Sequence, residues 1–246
     1  VVVASWSDQA PYRVRFEWGP VGIGALATDI VVVIDVLRFT TAVDAGVSHG
    51  IAVYPYRWRD QSAVEFAGRM DAQLADGNPG SPSLSPESLT LLEPGGRVVL
   101  PSPNGSTCAA LASAAGATVV AACLRNAAAV SSWLARQQGS ISVIACGERW
   151  PDGSLRPSHE DHLAAGAVLA GLGEDVSPEA RAAVAVWRDS EARIAEVMAA
   201  CTSGRELLQR GWAGDLRYAS QVNASYAVPM LTDGAFHNAQ PTDEVA

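Results

Sequence analysis

A run of five apolar residues, Ile-Val-Val-Val-Ile at positions 30–34, ends on an aspartate, Asp35, and no other feature narrows the possible folds as much. A strand with no polar residue on either side must be covered on both faces. That is the condition of a parallel sheet with helices above and below it. The pattern returns at 51–54, 97–100, 118–123 and 141–145, where each apolar run leads through a polar or glycine corner into a stretch with helical spacing. Such alternation predicts the α/β class, with three α/β/α layers about a mostly parallel or mixed sheet. The length of 246 residues is read as a single α/β domain, 1–246, and it allows two tightly packed lobes whose boundary stays open.

Capping residues place the helices. Thr40 or Thr41 starts one that reaches 47, and apolar spacing gives another over 60–74. A third covers 105–115, closed by Gly116, and Asn126 caps a fourth that runs to 138. Ser158 with Asp161 makes a capping-box arrangement for a helix over 159–172. The longest helix is expected over 177–200, followed by a shorter one over 203–210. Segment 76–86, rich in Gly, Pro and Ser, reads as a loop long enough to be a lid, and the tail over 215–238 is mixed.

Composition removes several function classes. A formal net charge of −9 argues against nucleic acid or an anionic membrane as a partner, since both need a basic face. A small anionic substrate must then meet a local basic pocket. All 17 basic residues are arginines, which leaves no lysine for a Schiff base or a phosphate-binding loop. Cys108, Cys123, Cys146 and Cys201 are scattered through apolar or Ala-rich runs, as reduced core thiols in a cytoplasmic protein would be. No apolar run approaches the ~18 residues of a membrane span. Smooth Ala-rich helices suit a homodimer as well as internal packing.

In open α/β sheets, ligands bind outside the carboxyl ends of the strands. The corners there carry Asp35 and Arg38, Ser102 and Asn104, Arg125 and Asn126, and Glu148 and Arg149. Arg38, Arg125 and Arg149, beside helix starts at Gly105 and Asn126, suit a polyanion receptor, because guanidinium forks and free N–H groups both bind phosphate or carboxylate oxygens. Ser102, Asn104, Gly105 and Ser106 form a rigid corner open to an oxyanion, although Asn-Gly with Ser is also ordinary turn chemistry. Asp35, Glu160 and Asp161 are hard oxygen ligands of the kind magnesium uses. Acids in a first helical turn are also favoured by the helix dipole alone. His159 and His162 have no further partner at a helpful spacing for zinc. A Gly-x-Ser-x-Gly elbow, a Gly-x-Gly-x-x-Gly turn and a second aspartate after Asp35-Val36 are all missing.

Taken together these segments resemble the 2-phosphosulfolactate phosphatase family. The match lies in Glu17-Trp18-Gly19-Pro20, in Val33-Ile34-Asp35-Val36-Leu37-Arg38 with Thr40-Thr41, and in Pro103-Asn104-Gly105-Ser106. It continues in Cys123-Leu124-Arg125-Asn126-Ala127, in the Gly147 corner leading to Glu160-Asp161 and Ala165-Gly166, and in Val228-Pro229. The resemblance implies a magnesium-dependent, phosphatase-like domain that converts 2-phospho-3-sulfolactate to 3-sulfolactate and phosphate. It implies that Asp35, Glu160 and Asp161 carry Mg²⁺ and that Arg38, Asn104, Gly105, Arg125 and Asn126 bind the anion. Asp35, Arg38, Arg125 and Glu160 are the expected catalytic residues, with Thr40, Thr41, Ser102, Ser106 and Arg149 added to the substrate contacts. The chain departs from the family where Ser83-Leu84 precedes Ser85-Pro86 in place of glycine and asparagine, and where His159 and His162 flank the acidic pair. The rival reading is a pocket that binds a small sulfonate or phosphate without turnover.

Overall fold

The computed structural model describes residues 6–239. Strand β1 (Val14–Trp18) leads directly into α1 (Gly19–Leu26), then come β2 (Ile30–Ile34) and α2 (Phe39–Ser48). Next are β3 (Ala52–Tyr56), α3 (Gln61–Met70), the short β4 (Gln73–Leu74) and the single turn α4 (Pro86–Leu89). Strand β5 (Arg97–Pro101), α5 (Gly105–Ala114), β6 (Thr118–Ala122), α6 (Ala127–Ala135) and β7 (Ile141–Ala145) continue the alternation. A small hairpin of β8 (Glu148–Arg149) and β9 (Leu155–Arg156) fills the corner before α7 (His159–Leu169). Helix α8 (Pro178–Ser190), a 3-10 turn at Glu191–Arg193, α9 (Ile194–Ala200), α10 (Thr202–Gln209) and α11 (Ala213–Ala219) follow. The hairpin β10 (Pro229–Thr232) and β11 (Ala235–Asn238) closes the described chain.

Nine strands form one mixed, mostly parallel sheet in the order β1-β7-β2-β6-β10-β11-β3-β5-β4, with helices flanking it, as the alternating pattern predicts. Two parallel blocks, β1-β7-β2-β6 and β3-β5-β4, are joined through the antiparallel β10–β11 hairpin. The hairpin reverses the strand direction between the blocks. Even so, the corner after β5 meets the corner after β2, where the Gly105 amide lies 2.8 Å from Asp35. The sheet must therefore curl, as the twist of ~20–25° between neighbouring strands allows when summed over five steps.

All five residues of β2 are buried, and they divide by parity. Ile30, Val32 and Ile34 join a core with Val120, Val143, Leu134, Leu163 and Trp187 under α6, α7 and α8. Val31 and Val33 join another with Ile23, Val43, Val53, Leu100 and Cys108. Helices α1, α2 and α5 belong to this second core, so α2, held inside the curl, is buried continuously from Phe39 to Val47. Each large side chain so buried contributes on the order of 1.5–3 kcal/mol before entropy is counted.

The expected helix over 177–200 is interrupted. Residues 191–193 tighten into a 3-10 turn between α8 and α9, so the chain changes direction there. The expected helix over 60–74 ends at Met70, and Gln73–Leu74 join the sheet edge beside β5. All four cysteines are free and buried. No helix among the described residues is long and apolar enough to cross a membrane.

Candidate active site

Asp35 opens the corner after β2. Its amide donates to Thr40 Oγ1 at 3.1 Å, and the Thr40 amide returns a bond to the Asp35 carbonyl at 2.7 Å. Thr41 Oγ1 donates to the Val36 carbonyl at 2.7 Å. Both threonines are fully buried, so they shape the corner, and the structure does not place them as the substrate contacts the sequence suggested. What they fix is the direction of the Asp35 carboxylate, whose Oδ2 accepts from the Gly105 amide at 2.8 Å and from Ser102 Oγ at 3.3 Å. Gly105 is required by this approach. A Cβ there would lie 2.2 Å from Phe39 Cδ1 and 2.7 Å from Asp35 Oδ2.

The acidic pair at the start of α7 splits in role. Asp161 accepts from the amides of Val36 at 2.8 Å and Gly147 at 2.9 Å, and from Ser158 Oγ at 2.8 Å. It staples the corner after β2 to the corner after β7. Burial, then Glu160 and Asp35, push its pKa well up. A carboxylate with both oxygens committed to backbone is a clamp, so the expected triad of Asp35, Glu160 and Asp161 does not form as a ligand set. The Ser158 hydroxyl, meanwhile, bonds the Asp161 side chain and not the helix backbone, so the capping box is not made in its usual form. Glu160 is 2% exposed, and the Cys201 thiol donates to its Oε2 at 3.5 Å.

A third acid stands with Asp35 and Glu160. Glu148, at the start of β8, accepts from Asn104 Nδ2 at 3.0 Å. Burial, then the charges of Asp35 and Glu160, raise it to about 7, while Arg156 opposes them. Asp35 is raised to about 6, by burial first and with Glu160 contributing, against the hydrogen bonds from Gly105, Phe39 and Ser102. Three carboxylates that repel one another in a partly dry site are short of positive charge. Among the described residues no three His, Cys, Asp or Glu side chains converge as a ready-made metal centre. Magnesium needs only one or two carboxylates, with water and substrate oxygens completing its shell. Asp35 with Glu160 fits that donor set.

Arginines share a pocket with two of these acids, Asp35 and Glu148. Asp35, Arg38, Arg59, Ser102, Asn104 and Glu148 line one pocket of about 310 Å³. Arg38 Nη1 pairs with Asp215 Oδ2 at 2.5 Å, and its guanidinium stacks 4.1 Å from the Trp212 ring centre. Asp215 also accepts from Ser85 Oγ at 2.5 Å, which ties the 76–86 loop to α11 and Arg38. Arg210 approaches the same indole at 5.4 Å.

Four further expected contacts lie elsewhere. Arg125 is 7% exposed and does not line this pocket; its Nε pairs with Asp44 at 3.0 Å, Nη1 bonds Gln221, and Tyr218 stacks at 3.9 Å. Asn126 is fully buried and bonds the Cys123 amide and the Ala121 and Ala227 carbonyls. Ser106 is buried and donates to the Leu100 carbonyl at 3.4 Å. Arg149 is exposed and reaches the Gly153 carbonyl within its own hairpin. Neighbouring residues of a strand point to opposite sides, so Glu148 takes the pocket that Arg149 was expected to line.

Sequence reading overlooked Arg59 and Trp212 in the pocket and Asp215 behind Arg38, and it marked Glu148 only as one of the corner residues. Arg59 had a signal: it follows β3 and precedes Asp60, whose Oδ1 caps α3, so it occupies the same strand-corner-helix position as Arg38. Trp212 and Asp215 arrive from the C-terminal helices, where no strand corner marks them.

Known proteins can be set beside this geometry. A protein-family model described as 2-phosphosulpholactate phosphatase matches residues 23–234. A probable 2-phosphosulfolactate phosphatase of Symbiobacterium thermophilum is 29% identical over 223 residues, covering 85% of this chain and 94% of that protein. A protein of the same description from Microcystis aeruginosa is 24% identical over 220 residues, covering 82% and 88% of the two chains.

Proposed function

The chain belongs to the 2-phosphosulfolactate phosphatase family, and on that premise we propose that it hydrolyses the phosphomonoester of a small hydroxy acid, 2-phospho-3-sulfolactate foremost. The observation that carries this reading is one pocket lined by carboxylates and arginines together, Asp35 and Glu148 with Arg38 and Arg59. An acid wall alone would repel a phosphate ester. An arginine wall alone would bind it without activating it.

Asp35 with Glu160 would hold Mg²⁺, which when bound supplies positive charge to a phosphoryl oxygen. Arg38, kept flat on Trp212 and anchored through one nitrogen by Asp215, offers its remaining N–H groups to the other phosphoryl oxygens as charge builds on them. Water adds to phosphorus while the bond to the ester oxygen breaks, and the phosphate product takes up water's protons, one of which returns to Glu148 to close the cycle. Glu148, raised to about 7, keeps its proton for much of the time at neutral pH and is the group to deliver it to the leaving alkoxide. Asn104 Nδ2 holds that carboxyl in place.

The test is release of inorganic phosphate from 2-phosphosulfolactate, 2-phospholactate and phosphoglycerate, with Mg²⁺ and with a chelator. Chelator-sensitive release that disappears in Asp35→Asn supports the reaction and the metal site together. Folded protein that binds these anions but releases no phosphate would replace the hydrolase by a non-catalytic small-anion binding protein.

A further inference from the structure

The pocket beside Asp35 does not end at the arginines. A second chamber of about 640 Å³ adjoins it, and the two share Arg38, Arg59, Leu84 and Trp212, which together form a neck. The smaller chamber, about 310 Å³, is already at the size of the smallest ligand sites. A three-carbon acid bearing phosphate and sulfonate needs little more room than that. The larger chamber is space such a substrate leaves unused.

The two guanidiniums at the neck are unequal. Arg38 is already paired with Asp215. Arg59 has no carboxylate at ion-pair distance among the described residues, and its one hydrogen bond runs from Nε to the Pro101 carbonyl at 3.3 Å. That bond orients the fork and leaves both terminal nitrogens uncommitted. Burial, and then the like charge of Arg38, lower the pKa of Arg59, so the pair gains from an anion placed between them. A planar fork with free donors matches sulfonate or carboxylate oxygens. Beyond the neck, Ala63, Val64, Leu74 and Ala75 supply an apolar wall, while the carboxylates of Asp60 and Asp76 are bonded to Ser62 and Asn78.

We propose that Arg59 binds the second anionic group of the substrate, its sulfonate or carboxylate, at the neck while the phosphoryl group lies against Asp35, and that the larger chamber receives substituents carried on the acid end. The phosphoryl placement rests on the hydrolase reading; the anion grip at Arg59 stands apart from it. The substrate class is then phosphorylated hydroxy acids with an open size limit on the acid side.

Wild type, Arg59→Gln and Arg59→Lys are to be assayed with Mg²⁺ on glycerol phosphate, on 2-phosphosulfolactate, and on a phosphorylated hydroxy acid bearing an added apolar side chain. For the two acid-bearing esters, KM should rise about ten- to a hundredfold in Arg59→Gln with kcat nearly unchanged, since one charge-assisted grip is lost. Glycerol phosphate, which has no acid group for Arg59 to grip, should respond far less than the acid-bearing esters, and Arg59→Lys should recover part of the loss. Wild type should accept the enlarged acid as well as the short one. An equal loss on all esters assigns Arg59 to the phosphoryl group and overturns the proposal, as does no loss on any. Rejection of the enlarged acid overturns the role of the larger chamber. If no ester is hydrolysed, calorimetric titration with 3-sulfolactate decides alone. Weaker binding by Arg59→Gln upholds the grip while the hydrolase reading fails, and equal binding overturns the grip.

Discussion

Two corners of the sheet read almost alike and do different work. Leu37-Arg38 follows β2 and Leu124-Arg125 follows β6; each arginine is paired with an aspartate and stacked on an aromatic residue from the C-terminal helices. Arg38 has Asp215 and Trp212 and lines the pocket. Arg125 has Asp44 and Tyr218 and is closed over by the following chain, since Gln221 takes its Nη1 and the Ser225 amide bonds its carbonyl. Ser225 Oγ also donates to Asp44 at 2.6 Å. The difference lies in the partners. Asp44 is fully buried and comes from α2 inside the curl, whereas Asp215 lies at the rim where the 76–86 loop meets α11. A Leu-Arg corner is thus a general device for fastening the C-terminal segment, and only one of its two copies was left beside a cavity.

The largest effect should come from breaking the closed corner. Arg125→Ala leaves Asp44 buried with its cation gone, which costs roughly 3–5 kcal/mol, read as a lowered urea midpoint. Activity per folded molecule should stay within a few-fold of wild type. The double change Arg125→Met with Asp44→Leu removes both charges and should return most of that stability. A catalytic Arg125 would show itself by a deep loss of kcat in soluble, folded protein. The open corner should answer in the reverse way: Arg38→Ala is expected to lower kcat by about 10²–10³ through lost transition-state charge compensation, with a smaller fall in the urea midpoint than Arg125→Ala, because the Arg38–Asp215 side chains are 15% and 8% exposed against 9% and 0% for Arg125–Asp44. If the two variants behave alike, the division between the corners is wrong.

The limits of sequence reading follow from the same comparison. The layers were legible because burial on both faces leaves an unbroken apolar run, as in β2, and Asp35 was legible because it ends that run. The curl was not, since it depends on the β10–β11 hairpin inserted between the two blocks. That hairpin carried its own sign. Asp233-Gly234, with φ of 52° and 83°, is the two-residue turn in which both positions take positive φ, and glycine adopts it without strain. Arg125 and Asn126 carry the same local pattern as Arg38 and so suggest an anion site, and nothing within that pattern says that residues 221–228 will cover them. Glu160 and Asp161 stand side by side in one helical turn. Only the arrival of Val36 and Gly147 separates Asp161, held by two backbone amides, from Glu160, which takes no backbone amide among the described residues.

A smaller and sharper effect comes from two buried aspartates, Asp35 in the first corner and Asp44 paired with the arginine of the second. Asp44 has Arg125 paired with it, whereas Asp35 has hydrogen-bond donors, the repulsion of its acidic neighbours and no arginine at ion-pair distance among the described residues, Arg59 acting on it only from across the pocket. With a folded-state pKa near 6 against an ordinary 3.8, Asp35 binds its proton more tightly in the folded chain. Its contribution is therefore fully present below about pH 4 and is lost as pH rises through about 6. Above that point, ionised Asp35 costs the metal-free fold roughly 2–3 kcal/mol relative to a neutral side chain. Asp35→Asn, which keeps an oxygen for the Gly105 amide, should then raise the urea midpoint of chelated protein at pH 8, and the gain should shrink towards zero at pH 4.5. Added Mg²⁺ should stabilise wild type at pH 8 more than the variant, closing the gap by mass action. Burial raises Asp44 as well, against the pull of Arg125, but Asp44→Asn strands that buried arginine charge and should therefore destabilise at pH 8. A stability gain in Asp44→Asn, or none in Asp35→Asn, would mean that the acid wall of the pocket is neutralised by the protein itself and that no cation is called for.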